Sequence, residues 1–192
     1  MTASHSTNPQ ILAGALEAFA EHGYHGTSIR TIARAAGLSV PGVYHHYPSK
    51  QAILADLIEV AIHSLTDRSL AALGRTESTS SRFDALVEAM IRFHMEHRAE
   101  AFVASSELRS LEPVARDRAV SLRDRQQGLL LEVIQDGCDE GVFATPFPRD
   151  TARAISTLCV GVAAWYRPTG ELSPGDLVER QLVLARRLVG LT

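Results

Sequence analysis

The sequence predicts an all-α protein of about nine helices, and three observations lead to that fold class. Apolar residues recur at three- and four-residue spacing through most of the 192 residues. No segment keeps the alternation of apolar and polar side chains that a half-buried β-strand requires. Glycine-containing breaks separate the apolar segments, as helix ends require.

The first two helices are predicted from one apolar stripe and from the residues that interrupt it. The stripe consists of Ile11, Leu12, Ala15, Leu16 and Phe19. Gly23 and Gly26 end the first helix. Thr27 or Ser28 then caps a second helix that reaches about residue 36, and Gly37 supplies the left-handed turn residue after it.

A very short third helix and a long fourth helix follow. Ser39 caps the third, which ends near Pro48, and Ser49 caps the fourth. The apolar stripe of the fourth helix is Ile53, Leu54, Leu57, Ile58, Ala61, Ile62 and Leu65. A polar linker is predicted at 74–81. These features predict a small N-terminal domain at 1–50 and a second domain at 51–192, with helix 51–72 as the connector.

Charge and composition are those of an ordinary globular chain, with a formal net charge of −3. The first fifty residues carry Arg30, Arg34 and Lys50 against two carboxylates, so this part can face phosphate although the whole chain is acidic. The first ten residues lack a secretory pattern, and no stretch has the length of a membrane span. The two cysteines show no metal-ligand spacing. We therefore expect a cytoplasmic protein without a cofactor or a membrane partner.

The spacing around the third helix predicts a helix-turn-helix. Two helices that cross steeply need a small residue at their contact, a glycine in the turn and an apolar anchor on the second helix. Ala33, Gly37 and Val43 meet these needs, and Ile32 and Tyr44 are expected to help complete the packing, together with Leu38. The short third helix would then enter the major groove of DNA.

Residues 27–50, TSIRTIARAAGLSVPGVYHHYPSK, resemble the signature of the tetracycline-repressor (TetR) family of transcriptional regulators. The resemblance extends over residues 11–57 and places the motif at about 29–48. It implies a homodimer that binds palindromic double-stranded operator DNA, with a helical effector-binding and dimerisation domain after the DNA-binding domain. One departure is that residues 1–10 contain no lysine or arginine, so minor-groove contacts by an N-terminal arm are in doubt.

The resemblance also implies the residues that contact DNA. Those implied at phosphates are either Thr27 or Ser28 at the start of the second helix, and Tyr44, His46 and Lys50. Arg30 is implied at the DNA backbone or at a base, and those implied on or near base edges are Ser39, Val40, Pro41, Gly42 and His45. Tyr47 is interpreted as a core residue, while Tyr44 stays open between core and DNA.

The segment 152–166 is apolar nearly all round, which predicts that it is buried on more than one side. A four-helix interface, with two helices from each subunit, would bury it. The predicted interface residues are Ile155, Leu158, Val162, Trp165, Leu184 and Leu188. Trp165 and Tyr166 could contact either the effector or the partner subunit, and the partner is preferred. A helix in the core of a monomer is the alternative.

An effector pocket is predicted among the helices between residues 83 and 165, lined by Phe93, His94, His97 and Phe102. Two histidines three residues apart could ligate a metal, but no third ligand is evident, so a polar pocket lining or an exposed position is preferred. The segment 165–173, WYRPTGELS, resembles a segment of TetR members that sense acyl-CoA thioesters. The resemblance implies a thioester effector.

Enzyme motifs are missing from the sequence: no nucleophile elbow, phosphate loop, HExxH or dinucleotide fingerprint occurs, and no catalytic residue is predicted. Two alternatives stay open beside the ligand-responsive repressor. One is a DNA-binding regulator that has no effector or acts as an activator, and the other is a helical metal-dependent enzyme.

Overall fold

The computed structural model describes residues 8–191, and every regular element within them is helical. The α-helices are α1 (Pro9–Gly26), α2 (Ile29–Ala35), α3 (Val40–His46), α4 (Lys50–Leu73), α5 (Thr79–Glu96), α6 (Arg98–Ser106), α7 (Pro113–Asp139), α8 (Pro148–Trp165) and α9 (Pro174–Leu188). A short 3₁₀ turn, Leu108–Ser110, lies between α6 and α7. The predicted all-α class and the predicted number of helices are confirmed.

Side-chain caps decide where several of these helices begin. Ser28, Ser39 and Ser173 each accept a backbone N–H three residues later, which satisfies one donor at the helix start. Ser78 does the same for α5, so that helix begins at Thr79. The predicted linker at 74–81 is therefore wrong in its second half, because its serines and threonine cap and open a helix.

The chain forms two compact units, each built from two separate stretches. The first contains residues up to 62 together with 99–121, and the second contains 63–98 together with 122 onward. Helices α4 and α7 contribute residues to both units. The domain boundary predicted at residue 50 stays a prediction. The first turns of α4 belong to the same compact unit as α1 to α3, so that unit extends past residue 50.

The core of the first unit is formed where α1, α2, α3 and the start of α4 meet. Its buried apolar side chains include Ile11, Ala15, Phe19, Ile32, Val43, Ile53, Leu54 and Ile58. Tyr47 is also buried, and its hydroxyl donates to Asp56 Oδ2 at 2.5 Å while it accepts the Asn8 N–H at 3.4 Å. The interpretation of Tyr47 as a core residue is confirmed.

Close packing of α1 on α2 depends on Gly14. A Cβ atom at this position would lie 2.8 Å from the backbone nitrogen of Ala36. We expect Gly14→Ala to destabilise the protein by about 1–3 kcal/mol, because backbone cannot give way as a side chain can. Gly128→Ala on α7 is the matched control, since nothing lies within 4 Å of its Cβ position and alanine favours helix. Thermal unfolding measures both, and a Gly14→Ala melting temperature at or above that of the control would contradict the packing argument.

The second unit has its core between α5, α7, α8 and α9. Buried residues there include Phe83, Leu86, Met90, Leu130, Ile134, Ile155, Cys159, Val162, Leu177 and Ala185. Arg186 holds Asp84 through two hydrogen bonds of 2.8 and 2.7 Å, which joins α9 to α5. Within residues 8–191, no helix combines the length and the apolar character needed to cross a membrane.

Candidate functional site

The segment from α2 to α3 has the geometry of a helix-turn-helix. Gly37 has φ +66°, a left-handed conformation that few residues other than glycine adopt readily, and Leu38 N–H donates to the carbonyl of Ala33 at 2.9 Å. Ala33 and Val43 are buried at the contact of the two helices, as the spacing predicted. Tyr44 does not complete this packing, since 52% of its surface is exposed.

Helix α3 presents most of its predicted DNA-facing residues to solvent. Pro41, Tyr44 and His45 are exposed, as is the capping residue Ser39, whose Oγ accepts the Gly42 N–H at 3.1 Å. Val40, Gly42 and His46 are partly exposed. This short helix can therefore offer its first turn and one outer face to a groove of DNA.

The start of α2 carries a second group of predicted contacts. Ser28 is exposed and caps the helix by accepting the Thr31 N–H at 3.1 Å, and the side chain of Arg30 is exposed beside it. The first N–H groups of a helix favour anions such as phosphate. Ser28 and Arg30 therefore occupy positions from which a DNA backbone can be reached.

Thr27 is a correction to the predicted contacts. Its side chain is buried, and its hydroxyl lies 2.9 Å from the carbonyl oxygen of Ala18 and 2.8 Å from that of Gly23. A hydroxyl has one hydrogen to donate, and here it is directed to the end of α1. The Thr27 hydroxyl therefore holds the fold and does not donate to phosphate.

The ammonium of Lys50 also has partners within the protein, and its predicted phosphate contact stays a prediction. Its ammonium donates to the carbonyl of Tyr24 at 2.7 Å and to the carbonyl of Thr27 at 2.6 Å, and it lies 4.1 Å from the centre of the Tyr24 ring. Burial lowers the pKa of Lys50 from its ordinary value. The side chain predicted to contact phosphate is thus bound by the protein's own backbone.

The predicted interface residues of α8 and α9 divide into two groups. Ile155 and Val162 are wholly buried in the core of the second unit, so their prediction as interface residues is wrong, and so is that of Tyr166. Leu158 is partly buried. The exposed group comprises Trp165 (48%), Leu184 (46%) and Leu188 (43%) together with Val183, which the sequence prediction missed.

Three of the four predicted effector residues lie together at the end of α5. Phe93 and His94 are buried, and the Phe93 ring stacks on His97 at 5.1 Å between centroids. The Nε2 atom of His97 lies 2.8 Å from a guanidinium nitrogen of Arg68. The fourth, Phe102, belongs to α6 in the other compact unit, and its ring is exposed. No three possible metal-ligating side chains converge anywhere in the described part of the chain.

The imidazole of His94 is held neutral by its surroundings. Burial lowers the pKa of His94, the hydrogen bond of Nδ1 with the Met90 carbonyl (2.8 Å) opposes this, and the charge of Arg123 lowers the pKa further. The lowered pKa leaves the ring uncharged at pH 7. A neutral imidazole whose Nδ1–H donates to backbone keeps Nε2 as an acceptor.

Gln126 on α7 is a polar residue that the sequence analysis missed. It is buried, and its Nε2 atom has no hydrogen-bond partner among the described residues. Arg82 pairs with Asp136, and Thr79 pairs with Glu140, so α5 and α7 are antiparallel. Continuing that register brings Gln126 beside the end of α5, near Phe93 and His94. The sequence pattern that could have identified Gln126 is its helical spacing from the buried apolar residues of α7.

Comparison with known proteins agrees with this architecture. Residues 11–57 match the family described as "Bacterial regulatory proteins, tetR family", and residues 76–189 match "Tetracyclin repressor-like, C-terminal domain". The HTH-type transcriptional repressor KstR2 of Mycobacterium tuberculosis is 27% identical over 189 residues, which cover 97% of this chain and 94% of KstR2.

Two solved structures show the same fold. A TetR-family regulatory protein from Rhodococcus RHA1 superposes with a TM-score of 0.91 at 30% identity, covering 97% of this chain and 100% of that one. AibR, solved with isovaleryl coenzyme A and operator DNA, superposes with a TM-score of 0.85 at 19% identity, covering 95% and 97%. The chain belongs to the TetR family of bacterial regulatory proteins and is a DNA-binding transcriptional regulator, not an enzyme.

Proposed function

We propose that this regulator is a cytoplasmic repressor that binds palindromic operator DNA as a homodimer and is released by a coenzyme A thioester. The observation that carries the proposal is the helix-turn-helix, whose second helix, α3, exposes Tyr44 and His45 and whose first helix, α2, begins at the exposed cap Ser28. The likeness to KstR2, a transcriptional repressor, over nearly the whole chain supports repression as the regulatory sense.

The charge of the two helices suits them to DNA. Neither α2 nor α3 contains an aspartate or a glutamate, and α2 adds the exposed cations Arg30 and Arg34. With few cations in the module, most contacts to phosphate come from hydroxyl, imidazole and backbone N–H groups. We expect operator affinity to depend only moderately on salt, because few counterions are released by so few cations.

The homodimer is supported by the exposed apolar side chains of α8 and α9. Trp165, Leu184 and Leu188 are each more than two-fifths exposed, which is costly for large apolar groups that share two neighbouring helices. A two-fold interface there would cover the group on both subunits at once. Two-fold symmetry would also place one α3 on each half of a palindrome.

The effector proposal is supported by two buried polar side chains of the second unit, Gln126 and His94. The Nε2 of Gln126 is a buried donor without a protein acceptor, and a buried donor left unpaired costs about 1–3 kcal/mol. A ligand carbonyl would satisfy it. An acyl thioester has such a carbonyl. The resemblance of residues 165–173 to acyl-CoA sensors agrees with this choice, and the fold accommodates isovaleryl coenzyme A in AibR.

Fluorescence anisotropy with a labelled operator fragment tests the proposal. We expect a thioester from a panel of linear, branched and ring-containing acyl groups to lower operator affinity about 100-fold, which needs about 2.7 kcal/mol of preference for the DNA-free conformation. The matching free acids and coenzyme A alone should not act. Gln126→Leu should reduce the response while leaving unliganded operator binding intact, and Gln127→Leu, its less buried neighbour, is the control.

The possible outcomes separate the parts of the proposal. Flat titrations with every thioester would remove the effector assignment and leave a DNA-binding repressor. Failure of the wild-type dimer to protect any palindrome near its own gene would remove the repressor function itself.

A further inference from the structure

We propose that Lys50 is a positioning residue of the operator interface, which holds the corner between α1 and α2 and does not contact DNA itself. The inference rests on the proposed operator binding. It changes what the residue does there, since the family resemblance assigned the ammonium to a phosphate.

The corner consists of residues 23–28, where α1 ends and α2 is capped. The last carbonyl groups of a helix lack the usual intrahelical donors. Tyr24 O accepts the Thr27 N–H at 3.3 Å, and the ammonium of Lys50 adds a second donor to it at 2.7 Å and a donor to Thr27 O at 2.6 Å. An ammonium has three N–H bonds in all, so most of its donors are directed into the corner. The Tyr24 ring, 4.1 Å away, adds a cation–π contact.

This corner determines where α2 begins. The Thr27 carbonyl belongs to the same peptide plane as the N–H of Ser28, which is the cap of α2. The Thr27 hydroxyl is bound on its other side by Ala18 and Gly23 carbonyls at 2.9 and 2.8 Å. Lys50 therefore completes a set of bonds that orients Ser28 and the following N–H groups, which are the proposed phosphate donors.

The surroundings of the ammonium also favour a structural role. Glu107 Oε1 accepts the N–H of Tyr24 at 3.2 Å, and its Oε2 accepts the Ser110 hydroxyl at 2.7 Å. The Glu107 carboxylate thereby fixes the backbone of Tyr24, which contacts Lys50 through its carbonyl and its ring. Two carbonyl oxygens and an aromatic face already contact the ammonium, so a DNA phosphate would have to compete with them.

The salt dependence of operator affinity distinguishes positioning from phosphate contact. Each phosphate neutralised contributes about 0.9 to the slope of log affinity against log salt, so a Lys50 contact in both subunits would contribute about 1.8. A positioning residue changes affinity at every salt concentration without changing the slope. A substitution that only destabilises the fold would also leave the slope unchanged. The melting temperature is therefore measured together with the affinity and the slope.

The experiment compares wild type with Lys50→Met, which keeps the length and removes the charge, and with Lys50→Gln, which is neutral but can donate to both carbonyls. Arg30→Met, an exposed cation of α2, is the control for a lost phosphate contact. We expect Lys50→Met to lower operator affinity about tenfold at each salt concentration between about 50 and 200 mM with an unchanged slope. Lys50→Gln should recover part of that affinity, and Arg30→Met should reduce the slope.

Several results would overturn the proposal. A slope reduced by about 1.8 in either Lys50 variant would show a phosphate contact. Wild-type affinity in Lys50→Met would show that the corner does not need the ammonium. If neither variant folds, as judged by circular dichroism, Lys50 serves the fold as a whole and not the interface. Failure of wild type to bind any operator would instead contradict the proposed function.

Discussion

Trp165→Asp should convert the dimer into monomers and lower operator affinity by at least ~100-fold, because a single half-site cannot hold the protein as two linked half-sites do. Trp165 is 48% exposed on α8, so the substitution leaves the core of its own unit intact. In the proposed interface, however, the carboxylate would be buried without a partner, which is strongly disfavoured. Light scattering gives the mass, and anisotropy gives the affinity.

Two further variants make this result specific. Leu184→Asp changes a second residue of the same exposed group, on α9, and should act in the same way. Val114→Asp is the matched control, since Val114 is an exposed apolar residue at the start of α7, in the other compact unit. Dimers of unchanged mass in both interface variants would move the interface to another surface.

The second large effect is expected at Tyr44. Tyr44→Ala should weaken operator binding by about 1–3 kcal/mol at each half-site, the range for hydrogen bonds to charged groups, and two half-sites double the loss. Because the side chain is more than half exposed and lies outside the packing of α2 on α3, the melting temperature should hardly change. Anisotropy over several operator variants measures whether the loss is uniform, as a phosphate contact requires.

Val60→Ala, which shortens an exposed apolar residue of α4 in the same compact unit, serves as the control for Tyr44. His46→Ala tests the neighbouring residue that was assigned to phosphate. Wild-type affinity in a Tyr44→Ala, His46→Ala double variant would place the DNA-binding surface elsewhere.

The helix-turn-helix could be predicted from sequence because its determinants are local. The caps Ser28 and Ser39, the turn at Gly37 and the small residue Ala33 all act within a few residues of their own positions. Such local signals can be recognised without knowledge of how the rest of the chain folds. The helical fold class follows from the same kind of local periodicity.

Roles that depend on distant partners could not be assigned in this way. The sequence left the cap of α2 open between Thr27 and Ser28, and it assigned Lys50 to phosphate. The bonds of Lys50 to Tyr24 and to Thr27 join residues that are 26 and 23 positions apart, and the bond of Thr27 to Ala18 spans nine positions. Nothing in the local pattern indicates that a lysine more than twenty residues later donates to these carbonyl groups.

The sequence by itself determined that this protein is all-α, that residues 29–48 contain a helix-turn-helix, and that α8 carries apolar side chains on several faces. Only the tertiary structure decided how those faces are used. Ile155 and Val162 fill the core of their own unit, while Trp165 and Leu184 remain exposed. The physical reason is that the hydrophobicity of a side chain indicates whether its burial is favourable. The packing of neighbouring helices decides which of these side chains are buried within one subunit.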